Sequence, residues 1–224
     1  MHVIRKRLVR LLLAGALLTG AVGAPVALVG GTAQAAACGT AVAAGTSCTL
    51  TGTLNLLAGP LTLTSPSALA WSGTDNGFDQ SLVDTTAAHL FYVVNDATGS
   101  GAGWHVTASA TTFTTGSATL PNSGTVVTTG SASSVTSANA PTPVCSSGAT
   151  CLLPTNTTVY PVAITTAAVS PTPVTVYDTS AATGLGSIVV GGGSNPVGWW
   201  VNVPASAAVG TYTSTFTLQI ISGP

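Results

Sequence analysis

Few side chains in this sequence can do chemistry, and their types limit what chemistry is open. Apart from His2, the histidines are His89 and His105. The acids are five aspartates, Asp75, Asp79, Asp84, Asp96 and Asp178, with no glutamate. A Ser-His-Asp triad needs a positioned serine, yet no G-x-S-x-G elbow is present and serine is simply abundant. His105 lies between Trp104 and Val106 and points to the opposite strand face from both, so both histidines read as ordinary strand residues. A glycosidase would need paired carboxylates, here drawn from Asp75, Asp79, Asp84 and Asp96. Most of these sit beside Asn, Gly or Thr, which suits solvated turns. Calcium ligation by Asp75, Asn76 and Asp79 fails the EF-hand spacing, because Gly77 stands third in the would-be loop. No catalytic residue and no metal ligand is expected, and no cofactor.

The cysteines are Cys38, Cys48, Cys145 and Cys151, in two close pairs. Zinc needs C-x₂₋₄-C spacing with nearby histidine, and neither pair fits. An even count behind a leader segment points to disulfides outside the cytoplasm. Four cysteines allow three connectivities, of which local pairing is the simplest.

Charge narrows the choice further. The four Lys and Arg (Arg5, Lys6, Arg7 and Arg10) all fall in the first ten positions. Charged residues make up only 4% of the chain, against about 25% in an ordinary domain. Without cations the body can form no nucleic-acid patch. It also has no Lys nucleophile, no Arg clamp, no P-loop lysine and no Lys–Asn isopeptide crosslink. Residues 1–35 read as a cleaved secretory signal peptide: a charged start, the apolar run Leu11–Leu18, and a small-x-small site at Ala33-Gln34-Ala35. The remaining residues, 36–224, are expected to form one domain, secreted and with no membrane span.

Aromatic residues offer a different chemistry, recognition. Gly103-Trp104-His105-Val106 is echoed by Gly198-Trp199-Trp200-Val201. Alternation puts Trp104 and Trp199 towards the core. It turns Trp200 outward, where an indole could stack on a sugar ring. The competing expectation is that all four tryptophans, Trp71 included, pack inside.

The elements that must position these residues are strands. Thr and Val favour pleated backbone. In Thr211–Ile221, Tyr212, Ser214, Phe216, Leu218 and Ile220 alternate with Thr and Gln, which predicts one buried and one wet face. Cys48–Leu56 repeats the pattern, with Leu50, Leu54 and Leu56 on one side. Trp104–Ser109, Leu61–Thr64, His89–Val94, Val126–Thr129, Val159–Thr165, Val174–Tyr177, Ser187–Val190 and Trp199–Val203 complete the set. Turn signals such as Asn76-Gly77 and Gly191-Gly192-Gly193 separate them. The expected fold class is all-β: a single antiparallel β-sandwich, Ig-like or related, of roughly nine to eleven short strands. Residues 131–148, rich in Ser, Thr, Ala and Pro, read as a long surface loop pinned near its end by a Cys145–Cys151 pair. Thr and Ser take the place of the charges that usually protect strand edges; association through edges or faces is one reading of this, and compositional drift toward Ala, Thr, Gly and Val codons in a high-GC genome is the other.

The ordered segments Leu61-Thr-Leu-Thr-Ser-Pro, Trp71-Ser-Gly-Thr, Val94 to Val106 and Gly210 to Pro224 resemble the WxL domain of Gram-positive surface proteins, in an actinobacterial form. The resemblance covers about residues 50–224. Its first Trp-x-Leu motif falls on Trp104-His105-Val106, with Val for Leu. The second falls on Leu218-Gln219-Ile220, where the Trp is missing and Trp199-Trp200-Val201 stands nearest in kind. The resemblance implies a non-catalytic domain on the cell wall, held without a covalent link. Peptidoglycan or another wall glycan would be the ligand, and Trp104, Trp199 and Trp200 the candidate contacts. It also implies possible partners among other surface proteins or further copies of the chain. A self-associating subunit of a surface layer or fibre is the alternative function.

Overall fold

The computed structural model describes residues 36–39 and 41–224. The expected signal segment, 1–35, lies outside them. The chain falls into two units, residues 1–54 and 55–224. In the first, β1 (Ala36–Ala37) pairs in parallel with β2 (Cys48–Thr49), and the Cys38–Cys48 disulfide closes the loop between them. The expected strand over Cys48–Leu56 therefore stops at Thr49. Beyond it Leu50, Leu54 and Leu56 are 84%, 89% and 87% exposed. No strand of the described residues pairs with this stretch, so alternation alone cannot make it part of a sheet. The second unit begins at Asn55.

The second unit is all-β, as the sequence predicts, and sandwich-like. Its strands are β3 (Leu61–Thr64), β4 (Gln80–Val83), β5 (Tyr92–Asp96), β6 (Trp104–Ala110), β7 (Thr114–Thr115), β8 (Ala118–Thr119) and β9 (Val126–Thr129). They are followed by β10 (Pro143–Cys145), β11 (Val162–Ile164), β12 (Val174–Thr179), β13 (Gly186–Val190), β14 (Gly198–Val203) and β15 (Phe216–Ser222). Antiparallel pairing gives sheets in the orders β10-β13-β5-β3, β11-β9-β14-β4 and β12-β6-β15, and β7-β8 form a small hairpin. One core joins them. Trp104, Val106, Ala108 and Ala110 of β6 meet Val94 of β5, Val126 of β9, Ile164 of β11, Tyr177 of β12, Ile188 of β13 and Trp199 of β14. Each fully buried apolar side chain of this size contributes roughly 1.5–3 kcal/mol. β15 shows the predicted alternation, with Phe216, Leu218 and Ile220 half-buried and Thr217, Gln219 and Ile221 exposed.

The segment 131–148 is pinned near its end, and parts of it also join the sheets. Its C-terminal part is β10, which pairs with β13, and Cys145–Cys151 ties that strand to the next turn. Local pairing is thus the connectivity formed in both units. Its N-terminal part lies over β14. The indole Nε1–H of Trp200 donates to Ser131 O (3.0 Å) and Thr129 Oγ1 (3.1 Å). Gly130 N donates to Asn139 O (2.8 Å) and fixes the return. This approach requires a glycine in the strand below, because a Cβ on Gly198 would stand 1.8 Å from Ser131 O. We expect Gly198→Ala to lift the 131–140 segment and cost about 1–3 kcal/mol. The check is tryptophan emission, which should shift to the red as Trp200 meets water, beside a thermal melt. An unchanged spectrum and melting point would contradict this packing.

Candidate functional site

Trp104, Trp199 and Trp200 are 0%, 1% and 6% exposed. The outward placement of Trp200 on its strand is right, but the 131–140 segment covers it. None of the three presents a face on which a ligand could stack. Trp104 Nε1–H donates to Gly184 O (2.8 Å), and its ring lies stacked on Tyr177 at 5.8 Å. Of the other motif positions, Val106 is fully buried, and Leu218 and Ile220 are half-buried against the same core. These residues build the fold.

Trp71 is the indole that stays half-buried at the surface. Its Nε1–H donates to Trp199 O (2.9 Å), which anchors the loop after β3 to β14. Its ring meets Phe113 edge-on at 5.8 Å and Phe216 at 5.5 Å. This geometry adds to the burial of each ring. On one side of Trp71 lies a cleft of about 330 Å³. Phe113, Leu82 and Val201 contribute apolar wall, while Asp75, Gln80 and the 207–212 segment bring polar atoms and the Tyr212 ring. Gln80 Nε2–H donates to Thr74 O (3.1 Å), which leaves the amide oxygen of Gln80 free to accept. Tyr212 donates to Ala208 O (3.0 Å) and closes the far wall. Aromatic faces with a few oriented polar groups are the make-up of a small-ligand site. Alternation tells strand faces apart but not which face a distant segment covers, so the burial of Trp200 is not legible in its own strand.

The aspartates divide. Asp75 and Asp79 are exposed, as expected of turn residues: Asp75 accepts from Gly77 N (2.9 Å) and Asp79 from Ala205 N (2.8 Å). Asp84 and Asp96 are not solvated turn residues, being 0% and 4% exposed. Asp96 accepts from the amide and hydroxyl of Thr98 (3.0 and 2.7 Å). Asp84 accepts from Ala70 N (2.7 Å), Thr86 N (2.9 Å) and His89 Nδ1–H (2.7 Å). Burial opposes its ionisation, but the two backbone donors and the His89 ring outweigh that and hold its pKa below the ordinary value of 3.8. His89 closes a short 3₁₀ turn, Ala87–His89, rather than opening a strand. Aspartate on Nδ1 is the orienting half of a triad, but among the described residues no hydroxyl hydrogen-bonds the other ring nitrogen. The pair pins the loop before β4 to the turn after it. His105 Nδ1–H donates to Gly223 O (2.7 Å) beside Asp178, its register partner on β12.

The phenols of Tyr92, Tyr160 and Tyr177 are pushed up by burial and stay neutral. Among the described residues no helix is long and apolar enough to cross a membrane. No protein-family model matches the chain, and neither does any curated protein or solved structure.

Proposed function

We propose that this chain is a secreted, non-catalytic surface protein that binds the bacterial cell wall without a covalent link. Its ligand is peptidoglycan or another wall glycan, taken in the cleft beside Trp71. The observation that carries the reading is the cleft itself. A half-exposed indole and a tyrosine ring flank a carboxylate and a free amide oxygen, which suits the apolar faces and hydroxyl or acetamido groups of a sugar. The uncharged composition agrees with this choice of ligand. A body without Lys or Arg has no Coulombic attraction to anionic wall polymers, so its affinity rests on hydrogen bonds and stacking and is nearly independent of salt. The resemblance to WxL domains points the same way, with the contact moved from the buried tryptophans to Trp71.

The test is co-sedimentation with teichoic-acid-free peptidoglycan at low and high salt, beside a tube without wall. The protein should pellet with the wall at both salt levels. Gln80→Ala and Asp75→Ala, both away from the core, should each weaken binding about tenfold, the worth of one hydrogen bond to a charged or well-placed group. A folded protein that stays in the supernatant would sink direct wall binding. Pelleting that ignores both variants would move the site elsewhere.

A further inference from the structure

β15 is an edge strand, and its free side is open. Its ladder with β6 uses the odd-numbered residues: Thr111 N donates to Thr215 O (3.0 Å) and Gly223 N to Gly103 O (2.9 Å). Antiparallel pairing alternates, so the N–H and C=O groups of Ser214, Phe216 and Leu218 point from the other edge. Among the described residues no backbone hydrogen bond meets them. β3 runs nearby, but its ladder is with β5 alone. Past the end of β3 the chain swings away, and a groove of about 540 Å³ opens between residues 65–71 and 212–218. Its apolar wall is Leu69, Trp71, Phe113, Phe216 and Leu218. Among the described residues no charged side chain lines it.

The same chain carries a segment that fits such a groove. From Thr49 to Leu57 the backbone is outside any sheet, apart from the single strand position at Thr49. Leu50, Leu54 and Leu56 lie on one side of the strand pattern, and all three are exposed. Thr51, Thr53 and Asn55 lie on the other. This segment is also without charge. Leu50–Leu56 and Tyr212–Leu218 are equal in length, each about 20 Å when extended. The leucines match the inward, half-buried face that Phe216 and Leu218 share, and the threonines would continue the outward row of Thr213, Thr215 and Thr217. Neither surface bears a lysine, a proline within the pairing stretch or an inward charge, the devices that keep strand edges apart.

We propose that Thr49–Leu57 of one copy adds as a strand to the free edge Tyr212–Leu218 of a second copy, so that the protein assembles head to tail. The main-chain ladder supplies affinity, and the leucine side chains in the groove supply register. Donor and acceptor are different surfaces, so each copy can take one neighbour and offer itself to another, and the assembly is an open chain rather than a closed pair. The groove shares Trp71, Phe113 and Tyr212 with the cleft proposed for wall binding but not Asp75 or Gln80, so variants at those two positions tell the two readings apart.

The experiment is sedimentation velocity on the purified chain, as its host delivers it, over a wide concentration range and with no wall present. Oligomers should lengthen as concentration rises. The double variant Leu54→Asp/Leu56→Asp changes only exposed side chains, so it should fold with both disulfides. Its self-association should fall at least about tenfold, since burying either aspartate in an apolar groove is prohibitive. The variant keeps an intact acceptor edge, so substoichiometric amounts should cap wild-type chains and shorten them. A wild-type protein that stays monomeric throughout, including one whose own segment occupies its groove, would overturn the proposal. So would oligomers that form equally well with the aspartates in place. The Gln80→Ala and Asp75→Ala proteins should assemble as the wild type does, which separates failure here from failure of wall binding.

Discussion

Replacing Trp104 by alanine should lower stability by about 3–5 kcal/mol, the largest loss expected from any single truncation in the chain. The indole is fully buried, stacks on Tyr177 and satisfies Gly184 O. Alanine would leave a cavity in the middle of β6 and an unpaired carbonyl at its rim. Whole-domain stabilities are about 5–15 kcal/mol, so the variant should melt about 10–15 °C lower or fail to fold. Trp104→Phe separates the two contributions. It keeps most of the ring packing but loses the hydrogen bond, so it should cost about 1–3 kcal/mol. Scanning calorimetry on the three proteins decides it. Equal melting points would mean that this indole is not a core residue, and would revive a ligand role for it.

Asp84→Asn should be the second large effect, and its size should depend on pH. The carboxylate accepts three hydrogen bonds inside the fold. An amide side chain would turn a donor towards one of those donors, at a cost of about 2–4 kcal/mol near neutrality. The sign follows from the direction of the shift. The folded pKa lies below the unfolded one, so the folded state holds fewer protons through the acidic range. The wild-type contribution is complete above the ordinary carboxylate range, and it is lost as pH falls through that range to the lowered folded value. Melting temperatures taken from neutral pH downwards should therefore converge for wild type and Asp84→Asn as the medium becomes strongly acidic. A constant gap at every pH would contradict an ionised Asp84 in the fold.

Much of the fold is legible in single segments. Leu61–Thr64 and Val126–Thr129 are strands with the boundaries their pattern suggests, and Trp104, Trp199 and Val106 are core residues. These segments state their own burial, because β-branched and aromatic residues recur where a sheet face needs them. Three features are not local, and the sequence does not disclose them. Gln80–Val83 has no clean alternation; it is a strand because β14 lies beside it. Cys48–Leu56 has the alternation and lacks the neighbour. Asp84 reads as a turn residue, yet Ala70 and His89, distant or out of pattern, close around it. The candidate site suffers most from this. Trp200 faces outward in its strand and is roofed by residues far earlier in the chain, whereas Trp71, with no strand pattern around it, reaches the surface because its loop is hung from Trp199 O.

The roof over Trp200 also restricts how copies of the chain can grow together. Flat, uncharged Thr-rich sheets have a tendency to laminate, since two such faces can interdigitate into a dry zipper. On β14 the 131–140 segment occupies the layer that a second sheet would need. Stacking of copies through that face is blocked. Ten residues of Ser, Ala, Val, Thr and Asn thus do on this face of a body without cations what a row of lysines does elsewhere: they deny a second sheet the surface it would stack on.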